Sequence, residues 1–117
     1  MKKRKPDDDL KYAFGYNQPQ PFKLEDIDDI LACIAGHNDE DSWYWIVKLK
    51  DDRFFLIRAG CDYTGWDCQS HCDCEEGKTA EDCAGLKLSE YEQRKNLNQQ
   101  LLAQLLGTQP YGVEICS

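Results

Sequence analysis

The sequence predicts an α+β fold, a three-stranded antiparallel β-meander flanked by an N-terminal and a C-terminal α-helix. Three observations predict it. The apolar residues Ile27, Ile30, Leu31 and Ile34 step by three, one and three. The runs WYWIVKLK and RFFLIRAG flank Asp51-Asp52, and LSEYEQRKNLNQQLLAQLLG carries a leucine stripe with cap residues at both ends. The first and third patterns have helical period, whereas the second has the aromatic and β-branched composition of a hairpin.

Residues 1–20 show no sustained period and read as a flexible lead-in, with a single domain expected over 21–117. Within the lead-in, KKRK at 2–5 reads as a short mobile terminus. The helix expected from Leu24 to Gly36 has Glu25, Asp26, Asp28 and Asp29 in its first turns, where the positive end of the helix dipole favours acids. In the hairpin, pairing Lys50 with Arg53 sets Leu49 opposite Phe54, Val47 opposite Leu56 and Trp45 opposite Arg58. Both faces are then largely apolar, so the sheet is covered on both sides or one side docks a partner. Further on, Thr79 with Asp82 reads as the cap of a short turn through Cys83. Ser89 with Glu92 reads as a capping box, and Gly107 as the C-cap of a helix with stripe Leu97, Leu101, Leu102 and Leu105. The tail TQPYGVEICS reads as a last short extended segment.

The segment CDYTGWDCQSHCDC holds four of the seven cysteines and supports two readings. In the first, Trp66, Cys68, Ser70, Cys72 and Cys74 alternate with polar residues as a third strand after an Asp62–Gly65 turn. Cys61 then meets Trp66, Ala59 meets Cys68 and Phe55 meets Cys72, and the thiols serve as small core residues with His71 outward. In the second, Cys68, Cys72, Cys74 and Cys83 are thiolate ligands of a structural zinc. The intervening spacings of three, one and eight residues are not those of a zinc knuckle, so the strand reading is favoured. A dithiol redox site is disfavoured, because there is no Cys-x-x-Cys and acidic neighbours raise thiol pKa values.

Composition bounds the rest. With 117 residues, 41% hydrophobic and 31% charged, the chain has the make-up of a globular domain. The start MKKRKPDDDLKYAF lacks the apolar run of a signal peptide, and no stretch is long enough to span a bilayer, so the expected compartment is the cytoplasm. The net charge of −8 is concentrated in two blocks, Glu25–Asp41 with seven acids and no base, and Asp62–Asp82 with seven acids and one lysine. Such a field opposes general nucleic-acid binding and favours a basic protein partner. No phosphate loop, nucleophile elbow or paired-histidine motif is present, and His37 and His71 read as surface residues. No cofactor is expected beyond the zinc of the second reading.

The block from Leu24 to Gln69, above all CDYTGWDCQ, resembles a group of small uncharacterised bacterial and phage proteins that share a Cys-Asp-Tyr-Thr-Gly-Trp-Asp-Cys element. The resemblance implies no activity. The expected function is therefore non-enzymatic: a small acidic cytoplasmic adaptor or inhibitor, of phage or bacterial conflict type, binding a basic protein surface through Asp39, Glu40 and Asp41. Trp43 and Trp45 are the expected interface anchors, since tryptophan is enriched among binding hot spots.

Overall fold

The computed structural model describes residues 3–38, 41–85 and 88–107. Among them, four strands form one antiparallel sheet in the order β1 (Ile27–Ile34), β2 (Trp43–Leu49), β3 (Phe54–Cys61), β4 (Ser70–Gly77). Helix α1 (Asp8–Gly15) precedes the sheet, and α2 (Ala80–Gly85), α3 (Glu90–Arg94) and α4 (Leu97–Leu106) follow it. The α+β class and the antiparallel meander are as the sequence predicts, but the sheet has four strands where three are expected.

The additional strand is the segment read from sequence as the N-terminal helix. Only a short 3-10 turn, Leu24–Asp26, is helical there. Strand β1 carries two register irregularities against β2, between Ile27 and Asp29 and between Ile30 and Ala32. Each irregularity shifts the alternation by one residue, so Ile27, Ile30 and Cys33 all reach the same face at a spacing of three. A bulged strand thus imitates part of a helical period, while Leu31 and Ile34, expected on the same stripe, pack on the opposite face.

The lead-in reading is corrected as well. Asp7 caps α1 by accepting from the Leu10 backbone N–H at 2.9 Å, and Leu10, Ala13 and Phe14 of this helix are buried in the main core. Lys3 pairs with Asp28 at 2.8 Å, and the Arg4 backbone exchanges hydrogen bonds with Ile30 N–H and Asp29 Oδ1 alongside β1. The packed core therefore begins well before Pro21.

In the hairpin, Val47 faces Phe55, Trp45 faces Ile57 and Tyr44 faces Arg58, one residue out of step with the expected register. The turn uses three residues, not two. Asp52 N–H donates to the Leu49 carbonyl at 3.0 Å, Leu49 N–H donates to Arg53 O at 2.8 Å, and Asp52 itself has φ of 68°. A left-handed residue after a tight turn makes the bulged hairpin that absorbs one extra residue. The slip gathers Trp45, Val47, Leu49, Phe55 and Ile57 on one apolar face and gives Arg58 the other, beside Tyr44.

Both faces are covered. Phe14, Phe22 and Phe55 stack in sequence across the first, with ring centroids 5.3 and 4.7 Å apart. On the second, Ile34, Tyr44, Ile46 and Leu56 meet Cys83, Ala84, Leu88 and Leu101 from α2, the following linker and α4. The expected caps are present: Asp82 N–H donates to Thr79 Oγ1, Ser89 and Glu92 exchange the two hydrogen bonds of a capping box, and Gly107 closes α4 with φ of 76°. The expected single C-terminal helix is broken at Asn96, whose φ of 61° ends one helical axis and starts the next. The 108–117 tail lies outside the described residues.

Each edge of the sheet is met by a glutamine. Gln104, on α4, accepts from Cys33 N–H and donates to Cys33 O, both at 2.9 Å, so its amide pairs with β1 as a strand residue would. Gln20 Nε2 donates to Cys72 O at 3.1 Å on β4. Covering an edge removes a template for unwanted pairing. Gln104→Ala leaves a buried amide and carbonyl of β1 without these partners and is expected to cost about 2 kcal/mol. Urea unfolding of the variant measures it.

Candidate functional site

Because the meander runs β1 to β4 in order, the β1–β2 connector (35–42) and the β3–β4 loop (62–69) lie at the same end of the sheet. These are the parts of the two acidic blocks richest in turn residues. The β3–β4 loop is built around Asp62. Its carboxylate accepts from Thr64 N–H at 2.9 Å and from the Thr64 hydroxyl, its backbone carbonyl accepts from Gly65 N–H at 3.1 Å, and Gly65 takes φ of 101°. A side chain that bonds two residues ahead and a left-handed glycine are what a tight turn demands. Trp66 then folds back onto Trp43, with centroids 4.8 Å apart, and donates from Nε1 to Asp9 Oδ1 at 3.3 Å. The turn is thus pinned to both the core and α1, and Tyr63, Asp67 and Cys68 are left exposed.

The connector is tied to this loop through Cys61, whose thiol donates to Asn38 Oδ1 at 3.3 Å. Between the two lies an open groove of about 400 Å³, lined by Asp41, Ser42, Asp62, Gln69 and His71 with Gly60 at its floor. Asp8, Asp9, Asp62 and Asp67 make no ion pair with a described lysine or arginine, while cations elsewhere are engaged: Lys3 with Asp28, Lys48 with Asp52, Arg53 with Asp51 and Arg58 with Glu92. Asp41 reaches Lys95 at 3.0 Å. Burial pushes the Cys61 thiol up, and the charges of Asp62 and Asp9 push it further, so the field of this sheet end is felt at its centre.

Of the residues singled out from sequence, Asp41 lies on this groove, and Asp39 and Glu40 fall outside the described residues. Trp43 and Trp45 are 5% and 0% exposed and belong to the core, so neither indole is presented to a partner. Strand β4 starts at Ser70, four residues later than expected. Cys61 therefore pairs with Ser70, Ala59 with Cys72 and Ile57 with Cys74. A shift by an even number preserves the faces, so Cys72 and Cys74 point into the first core and His71 outward, as expected, although every partner differs.

The four cysteines of the zinc reading are not brought together. Cys68 is exposed in the loop, Cys72 and Cys74 sit on the first face, and Cys83 is buried on the second, under Gly77. The sheet itself separates them. Among the described residues no group of three or more His, Cys, Asp or Glu side chains is placed to hold a metal ion. Cys61 and Cys68 are both free thiols.

No family model, curated protein or solved structure matches this chain. No described helix is long and apolar enough to cross a membrane.

Sequence reasoning misses the most developed polar cluster. Glu92, nearly buried, receives Arg58 through Nε at 2.7 Å and Nη2 at 2.9 Å, the Tyr44 hydroxyl, and Ser89 N–H at 2.7 Å. Burial alone would raise its carboxyl, but the hydrogen bonds from Arg58, Tyr44 and Ser89 outweigh it and hold the pKa at about 2. Burial and the Glu92 carboxylate push the Tyr44 phenol up to about 12. The two protonation states are therefore fixed across the neutral range, which suits a structural clamp and not a proton-transfer pair. The signal in the sequence was Arg58 in an otherwise apolar strand, facing the capping-box Glu92.

Proposed function

We propose that this is a non-enzymatic acidic protein that binds a basic surface of a partner protein through the β1–β2 and β3–β4 end of its sheet, as an adaptor or inhibitor acting in the cytoplasm. The setting proposed with it is phage or bacterial conflict; the resemblance of CDYTGWDCQ to bacterial and phage proteins agrees with such a host and carries no activity of its own. The observation that carries the reading is the open groove with Asp41 and Asp62 in its wall, together with Asp9, which is held beside the loop by Trp66 and whose charge is felt at Cys61. Asp41 also meets Lys95, which lines the neighbouring cleft with Tyr91 and Leu97, so an incoming cation would share that carboxylate. Tyr63, exposed on the same β3–β4 loop, offers an aromatic face to a cation.

Clustered acids of this kind set specificity and association rate more than raw affinity. The double variant Asp62→Lys, Asp67→Lys gives up the Asp62–Thr64 bonds of an exposed turn and leaves both cores untouched; with its circular dichroism matched to the parent's, it should fail to retain the partner that the parent chain retains from extracts of its own cells. A control of equal charge change away from the groove, Glu25→Lys with Glu81→Lys, should retain it. Equal retention by both variants would contradict the assignment of the surface.

A further inference from the structure

We propose that Cys72 and Cys74 form a two-thiolate site for a soft, two-coordinate cation of the Cu(I) class. The two residues stand at i and i+2 on β4, so both side chains leave the same face of the sheet. Cys72 is part of the first core and Cys74 lies half-buried at its margin. Both residues line the same open groove on this edge of the sheet. Gln20 braces them from outside, accepting from Cys74 Sγ at 3.4 Å and donating to Cys72 O at 3.1 Å. Strand β4 is a sheet edge, and an open groove between Asn17–Pro21 and Ser70–Cys74, about 470 Å³, gives a path to the sulfurs.

Chemistry narrows the ligand. Positions i and i+2 of a strand are about 6.7 Å apart at the Cα atoms, the upper end of what a disulfide spans, so the pair resists closing on itself. Both thiols are free. No third His, Cys, Asp or Glu joins them among the described residues, which leaves a tetrahedral zinc short of ligands. Two thiols on one face of one strand, with the Gln20 amide oxygen beside Cys74, suit a soft ion that is content with two sulfurs. Binding breaks two S–H bonds, forms two S–metal bonds and releases two protons, with no change of oxidation state.

The test is an anaerobic titration of the full chain with Cu(I) against a chromophoric Cu(I) chelator. One equivalent should be withdrawn from the chelator by the parent protein and by Cys61→Ser and Cys68→Ser, and uptake should weaken at least tenfold in Cys74→Ser. Because Cys72 is buried, Cys72→Ser is read only alongside its circular dichroism; Cys74→Ser, at the core margin, keeps the test decisive if Cys72→Ser unfolds. No uptake by the parent chain, or undiminished uptake by folded Cys74→Ser, would overturn the proposal. So would stoichiometric zinc bound as tightly as Cu(I), since that requires ligands the two-thiol site lacks.

Discussion

Glu92→Ala is expected to destabilise the protein by about 3 to 5 kcal/mol, because it removes one partner of a buried ion pair and leaves the other behind. Arg58 would keep its charge in a site where its side chain is 20% exposed, and Tyr44, the Ser89 amide and the start of α3 would lose their shared acceptor. The nearby Arg58–Glu75 contact, at 3.7 Å and more exposed, cannot replace a two-point bond. The double variant Arg58→Leu, Glu92→Leu should cost less than Glu92→Ala, since it leaves no orphaned charge. A denaturant series on the two variants decides this; a double variant less stable than the single one would contradict the reading.

The same carboxyl gives a pH signature. Its folded pKa of about 2 lies below the ordinary 4.5. The stabilisation it supplies is therefore fully present above about pH 4.5 and is lost as pH falls toward 2. Glu92→Gln should flatten that acid limb of the stability profile and leave the curve above pH 5 parallel to the parent's.

Trp45→Ala is expected to cost about 4 kcal/mol, the range for emptying a large aromatic from a core. Trp45 is wholly buried on β2 opposite Ile57, and its indole N–H donates to Asp7 Oδ2 at 3.0 Å. Asp7 is also the cap of α1, so the substitution opens a cavity and takes one of two hydrogen bonds from a partly buried carboxylate that burial already pushes up in pKa. Trp45→Phe should recover most of the packing and none of the hydrogen bond, falling between the parent and Trp45→Ala in thermal melts. A Trp45→Ala protein of parental stability would show the indole to be dispensable to the core.

How much could be read from the sequence depended on whether local pattern and tertiary geometry agreed. Strands β2 and β3 were legible because β-branched and aromatic residues fill both faces, and the caps Thr79, Ser89–Glu92 and Gly107 were legible because each is a local bond. Strand β1 was not, since Ile27, Ile30, Leu31 and Ile34 have helical spacing, although two bulges and the strand's two apolar faces send the first pair to one side of the sheet and the second to the other. Neither was the hairpin register, which hangs on one left-handed residue, Asp52. For α1 the signal was present and outweighed by the charges around it: Asp7 as cap, then Leu10, Ala13 and Phe14 at the spacing of one helix face. At the site, acidity was legible and its assembly was not. Only the strand order shows that Asp41 and Asp62 line one groove, and only the opposite faces of the sheet show that Cys83 stands apart from Cys72 and Cys74.

If this acidic groove is what the partner meets, the affinity between the two depends on salt. Once a retained partner is purified, its Kd for the parent chain and for Asp62→Lys, Asp67→Lys is measured from low to high NaCl. Screening acts on exposed charges, so the parent's affinity should fall steeply with salt, and the variant should bind at least tenfold more weakly at low salt with a flatter dependence. Equal affinities and equal slopes for the two proteins would contradict the account.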